Sequence, residues 1–151
     1  ATSMWEAWNG DNSLCHSSYL YVGTWFIEGL AGIKNDPERP GFQRFILKPG
    51  IVDDPSLKWV KAHHDSIYGR IVSDWKLDDD RMLTWKVTVP PNTIATATLP
   101  TTDAKTATEG GRPLSESTGV EKTTTRPGEL ILEIEPGAYE FQSNLAVLET
   151  P

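Results

Sequence analysis

Between Asn12 and Ile33 the apolar residues Leu14, Tyr19, Val22, Phe26, Leu30 and Ile33 recur at spacings of three to five, which is the period of a helix. Asn12 or Ser13 offers an N-cap, and Gly32 offers a C-cap. Cys15, Leu20, Trp25 and Ile27 widen the apolar stripe well beyond one face, so the helix expects neighbours on several sides. The stretch from Lys34 to Gly41, with two prolines and mixed charge, stops it and reads as a linker. The period then changes to two. Strands are predicted over Phe42 to Lys48, Leu57 to Ala62, Gly69 to Leu77, Leu83 to Val89, Thr93 to Leu99, Leu130 to Ile134 and Ala138 to Phe141. Asp65 to Tyr68 and Asp78 to Asp80 are the turns between three of them. In the strand beginning at Leu83, the residues Leu83, Trp85, Val87 and Val89 point one way while Thr84, Lys86 and Thr88 point the other. Thr101 to Arg126, rich in Thr, Gly and Ser, is expected to hold one or two weak strands or a mobile loop.

Short strands with turn signals about every 8–12 residues predict an antiparallel β-sandwich. The expected organisation is a helical segment over 1–34, a linker over 35–41 and the sandwich over 42–151. A single broad-faced helix has too few partners of its own kind in such a chain. It packs on the sandwich, or it is the last element of a helical domain that lies outside this sequence; the second explains its apolar width better.

Composition narrows the partners. A chain of 151 residues suits one domain, or one domain and a fragment of another. The net charge of -7 and the absence of a basic stripe argue against nucleic acid. No window approaches the roughly 18 consecutive apolar residues of a membrane span, and no signal peptide is visible. Cys15 is the single cysteine, which rules out an intrachain disulfide and leaves the compartment open. A periplasmic or secreted location is the expectation over a cytoplasmic one.

The residues with chemical potential gather near the start. Glu6 sits between Trp5 and Trp8, and His16 follows ten residues later across a loop rich in Asn, Gly and Asp. Apolar flanks disfavour the ionised form of a carboxylate, a common way to tune a catalytic acid or base. A glycosidase needs carboxylates at the bond it cleaves and aromatic rings for sugar C–H faces, and an inverting one spaces its acid and base roughly 6.5–9.5 Å apart. Glu6, His16, Trp5 and Trp8 look like half of such a site. By themselves the residues equally allow an exposed Glu on a turn with packing tryptophans.

Three motifs in order make the comparison specific. Trp5-Glu6-Ala7-Trp8-Asn9-Gly10, then Asn12-Ser13-Leu14-Cys15-His16, then Val22-Gly23-Thr24-Trp25 resemble the end of the catalytic domain of bacterial α-L-rhamnosidases, glycoside hydrolase family 78. Those enzymes typically show W-E-R-W, N-S-F-N-H and V-G-E-W. The resemblance continues through Ala31-Gly32-Ile33, Pro40-Gly41-Phe42, Asp65 to Trp75, Val87 to Thr93 and Ala97 to Pro100. Ala7 stands in place of the usual Arg, Leu14-Cys15 in place of Phe-Asn, and the loop between Glu6 and His16 is shorter than in many relatives.

The resemblance implies an (α/α)6 catalytic barrel, of which 1–34 is the last loop and helix, followed by a C-terminal β-sandwich packed against it. It implies inverting hydrolysis of terminal α-L-rhamnosyl groups, without a cofactor or metal. Glu6 falls on the proposed general base and His16 on a histidine that contacts rhamnose, with Trp5 and Trp8 as pocket wall or nearby packing. The general acid falls upstream of this sequence, so the 151-residue chain alone is expected to be inactive and to self-associate through its uncovered helix.

Other residues carry blander readings. His63 and His64 are adjacent on a strand, so they point to opposite faces and do not easily ligate one ion. Trp59, Trp75 and Trp85 suit a sugar-stacking platform of a carbohydrate-binding module, or packing in the core or at a domain interface, and their alternating neighbours favour packing. Asp78-Asp79-Asp80 lacks the further spacing of a calcium loop and reads as a solvated turn. Cys15 reads as a small packing residue.

Overall fold

The computed structural model describes residues 3, 5–17, 21–52 and 54–145, with the side chains of 121–123 left aside. Tyr19 and Leu20 of the predicted helix lie outside the described residues, and among the described ones the helix is shorter than its apolar pattern. It runs as α1 (Tyr21–Thr24) and continues as a π-helix over Trp25–Leu30. Asn12 to His16 form bends and irregular backbone instead, because Glu6 and Ser13 tie this stretch into a loop described below. Gly32 ends the helix in the left-handed region, φ 76°, the conformation glycine adopts without strain. The chain reverses there, so Ile33 is a strand residue rather than the last helical one.

Eleven strands follow in the described residues: β1 (Ile33–Asn35), β2 (Arg44–Leu47), β3 (Trp59–Ser66), β4 (Gly69–Leu77), β5 (Met82–Val89), β6 (Ile94–Pro100), β7 (Thr108–Glu109), β8 (Arg112–Pro113), β9 (Val120–Arg126), β10 (Glu129–Ile134) and β11 (Gly137–Asn144). They form two sheets, in the orders β1-β2-β6-β10-β9 and β3-β4-β5-β11-β7-β8. The expected sandwich is present, and its pairs are antiparallel except for β2 with β6. That parallel pair arises because β3, β4 and β5 intervene in the other sheet before the chain returns. The stretch read as a linker instead joins β1 to β2 within one sheet. The Asn35 side-chain oxygen accepts the amides of Gly41 and Phe42, at 3.0 and 3.3 Å, and closes it. The sandwich thus begins at Ile33. The Thr-rich stretch from Thr101 contains β7, β8, a 3₁₀ turn over Leu114–Glu116 and the edge strand β9.

The core lies between the sheets. From the six-stranded sheet come Trp75, Trp85 and Phe141, placed side by side by the register Trp75↔Trp85↔Phe141. From the other sheet come Phe45, Leu47, Leu99, Leu132 and Ile134, with small Ala95 and Ala97 on the central strand β6. Bulk on one face and small residues on the other is how facing layers reach native density.

A buried polar relay joins the helix to this core. The C-terminal carbonyls of a helix have no partner within it. Here the Leu30 carbonyl accepts the Trp75 indole N–H at 2.9 Å and the Gly50 amide at 3.0 Å. The Ala31 carbonyl accepts the Ser73 hydroxyl at 2.6 Å, and that hydroxyl in turn accepts the Trp85 indole N–H at 3.0 Å. The approach is close: a Cβ on Gly50 would stand 2.1 Å from the Gly29 carbonyl oxygen. Replacing Ser73 by Ala therefore leaves a buried carbonyl and a buried indole N–H without this partner. Such orphaned groups cost about 1–3 kcal/mol, so urea denaturation should show a loss of stability in that range; an unchanged midpoint would remove the relay's structural role.

Candidate functional site

The segment before the helix is a loop closed on itself. The Glu6 amide donates to the Ser13 carbonyl at 2.9 Å, and the Ser13 amide donates back to Glu6 Oε2 at 3.3 Å. Between them the Gly10 amide donates to the Ala7 carbonyl at 3.2 Å, with Gly10 at φ 76°. Asn9 donates to Asp11 at 2.6 Å, and the Asp11 amide donates to the Asn9 side chain at 3.2 Å. Ser3 Oγ reaches across to the Leu14 carbonyl. These local side-chain and backbone bonds compete with helix formation, which explains why the apolar period over this stretch misleads.

That closure brings Glu6 Oε2 within 3.6 Å of His16 Nδ1. The distance is beyond a hydrogen bond and suits an ion pair when the imidazole is protonated. Both side chains reach solvent, His16 for a third of its surface and Glu6 for two-fifths. Trp5 is half-buried beside the Gly10 turn. Trp8 is not part of the cluster: it is 94 % exposed, so the apolar flank expected on both sides of Glu6 forms on one side only. Cys15 is exposed rather than packed, because the segment carrying it is loop and has no core to face. The arrangement holds one carboxylate oxygen against a backbone amide and an imidazole, a posture suited to orienting a water or a sugar hydroxyl.

The remaining sequence candidates separate. His63 and His64 lie on opposite faces of β3, as alternation requires. His64 stacks on Phe42 with ring centroids 4.3 Å apart, and His63 Nε2 is 3.9 Å from Asp65 Oδ2. Asp65 is held below the usual carboxylate range by Arg70, which grips it through two bonds of 2.7 and 3.2 Å. Asp78 closes the β4–β5 turn by accepting the Met82 amide at 2.7 Å, and Asp79 pairs with Lys58. Trp75 and Trp85 are core residues, so a platform of two exposed tryptophans is not formed; Trp59 alone of the three is exposed. Sequence reasoning missed Ser73 as the hub beneath the helix. The signal available was a small polar residue at an inward position of a strand, which must find a buried partner.

The sheet orders and the helix junction describe a fold shared with known proteins. The model of the family described as bacterial alpha-L-rhamnosidase C-terminal domain matches residues 32–112. The chain belongs to this family. The match opens at Gly32, where the helix ends and the sandwich begins, and Glu6 and His16 precede it. Among curated relatives of this rhamnosidase C-terminal domain, an alpha-L-rhamnosidase of Formosa agariphila is 25% identical over 158 residues, covering 97% of this chain and 16% of the relative. Another, from an Alteromonas species, is 33% identical over 103 residues, covering 61% of this chain and 11% of the relative. The chain thus spans a small part of the length of these relatives. Among solved structures, the Streptomyces avermitilis alpha-L-rhamnosidase complexed with L-rhamnose superposes with a TM-score of 0.70 at 22% identity, over 88% of this chain and 12% of that one. An alpha-L-rhamnosidase from Dictyoglumus thermophilum gives 0.69 at 24% identity, over 84% and 14%. At such identities these two establish the shared fold.

Proposed function

We propose that this rhamnosidase C-terminal domain works as part of a longer inverting α-L-rhamnosidase that hydrolyses terminal α-L-rhamnosides. In this reading Glu6 is the general base that deprotonates the attacking water, His16 contacts the rhamnose, and Trp5 forms pocket wall. The sandwich braces a catalytic barrel that supplies the general acid. The observation that carries the reading is the Glu6–His16 contact of 3.6 Å, held by the reciprocal Glu6–Ser13 bonds. A second observation agrees with it. The helix is fastened to the sandwich at its C-terminal end by the Leu30 and Ala31 carbonyls, while Tyr21, Val22, Trp25 and Phe26 stand exposed. Contiguous apolar patches of this kind mark a surface that another domain covers.

One helix does not enclose a sugar pocket, so the 151-residue chain alone is expected to cleave 4-nitrophenyl α-L-rhamnoside no faster than its Glu6→Gln variant. In gel filtration the same preparation should elute above its 16.7 kDa monomer mass, because the helix face is uncovered. Turnover that depends on Glu6 in this chain alone would refute the need for a barrel to complete the sugar pocket. A clean monomer would refute the uncovered interface.

A further inference from the structure

The outer face of the six-stranded sheet carries an aromatic ring that the fold does not use. Trp59 lies on the edge strand β3, turned away from the core and 61 % exposed. Its cross-strand partner is Lys76, which faces Thr84 on β5. One step along the same face, Lys61 pairs with Asp74, and Asp74 with Lys86. Side chains opposite one another across strands start about 5 Å apart, and successive residues on one face about 7 Å apart. Trp59, Lys61, Lys76, Lys86 and Asp74 thus line one open cleft of about 700 Å³.

The charge of this cleft runs against that of the molecule. Lys61, Lys76 and Lys86 line it with Asp74, and Glu140 stands beside Lys86, which leaves a small positive excess in a chain whose net charge is -7. Glu140 engages Lys86 at 3.1 Å, and Asp74 accepts the Ala62 amide at 3.0 Å through one oxygen, which fixes its side chain against β3. Among the described residues no ion pair within 4 Å engages Lys61 or Lys76; Asp79, which pairs with Lys58, lies near enough to Lys76 to be stabilised by it, and both ammonium groups beside the indole keep room for a ligand.

We propose that this cleft binds an acidic saccharide, with one pyranose ring stacked on Trp59 and its carboxylate or sulfate held by Lys61 and Lys76. An indole face is electron-rich and attracts the weakly positive C–H groups on the apolar face of a sugar ring. Ammonium groups supply charge-assisted bonds to the anionic substituent. The indole and the two lysines start about 5–7 Å apart on the sheet, which puts the flexible ammonium groups within reach of the acid group of a sugar ring stacked on Trp59. A long polyanion such as nucleic acid fits poorly, because it would leave three lysines for an acidic surface. The site is separate from Glu6 and His16, so it stands or falls independently of the hydrolytic reading.

Isothermal titration of the 151-residue chain with digalacturonate, and with neutral α-1,4-galactobiose as the control, tests it. Digalacturonate should bind with a Kd of about 1 mM and galactobiose about tenfold more weakly. Raised salt should narrow that difference. Trp59→Ala should abolish measurable binding, Trp59→Phe should retain most of it, and the Lys61→Gln, Lys76→Gln double variant should raise the Kd about tenfold. Because all three positions are on the surface, circular dichroism should match the parent, and the lysine variant carries the test if Trp59→Ala fails to fold. No heat with digalacturonate, equal affinity for the two disaccharides, or unchanged affinity in Trp59→Ala or in the lysine variant would each overturn the proposal.

Discussion

Glu6→Gln, made in the longer polypeptide proposed to carry the catalytic barrel, is expected to lower kcat on 4-nitrophenyl α-L-rhamnoside by about 10²–10⁴-fold. Glutamine keeps the shape of the side chain and an oxygen that can accept the Ser13 amide, so the loop should persist. What it loses is the ability to take a proton from water. Nitrophenolate leaves with little protonation, so the rate on this substrate reports the base step with little contribution from the acid. KM should change little, because the base acts on water rather than on the bound sugar. His16→Ala should show the opposite split, a raised KM with a smaller loss of kcat, since its proposed part is to contact the sugar. The anomer first released, followed by NMR, should be inverted. A loss below about threefold for Glu6→Gln, far short of the usual general-base contribution, would end the proposed role.

Trp75→Ala should be the most damaging single change within the sandwich. Trp75 is 2 % exposed, lies across from Trp85 and donates its indole N–H to the Leu30 carbonyl. Truncating a buried tryptophan costs about 3–5 kcal/mol through lost contacts and the cavity left behind. Against a total stability of roughly 5–15 kcal/mol, that is enough to unfold much of the population at 37 °C. Trp75→Phe separates the two contributions. It keeps most of the apolar volume and removes the donor, but the Leu30 carbonyl retains the Gly50 amide, so the cost beyond the volume change should be only about 1 kcal/mol. Guanidinium denaturation measures both variants. Hydrogen exchange at the helix amides shows whether the helix end loosens with the core. A loss under about 1 kcal/mol for Trp75→Ala, below the range for a buried aromatic, would mean the ring is not the keystone its position indicates.

These two changes differ in how visible their basis was. The alternation Leu83-Thr84-Trp85-Lys86-Val87 can be read directly because a half-buried strand repeats every two residues, and the inward set is the buried set. The same held for Gly69–Leu77 and for the turn at Asp78. Glu6 and His16 could be named from their motif, and the loop does bring them within 3.6 Å. Their roles in hydrolysis remain a proposal. Trp8, identical to Trp5 in type and two residues from Glu6, could not be told apart from it: which ring turns inward is decided by the path of the loop, not by composition.

The segment before the helix shows the limit most clearly. Its apolar spacing predicted helix from Asn12, yet the Glu6–Ser13 bonds and the Asn9–Asp11 pair hold Asn12 to His16 in a loop. Periodicity registers side-chain polarity and is blind to the backbone bonds that local polar groups offer in exchange. By itself the sequence determined the sandwich class, the inward residues of its long strands and the glycine that stops the helix, because each follows from local period or backbone freedom. Only the tertiary structure decided that β2 runs parallel to β6, that Ser73 ties the helix to two tryptophans, and that Trp59 and its lysines share one outer face. Those depend on which distant segments meet, and pairing between strands far apart in the chain leaves no mark in either strand alone.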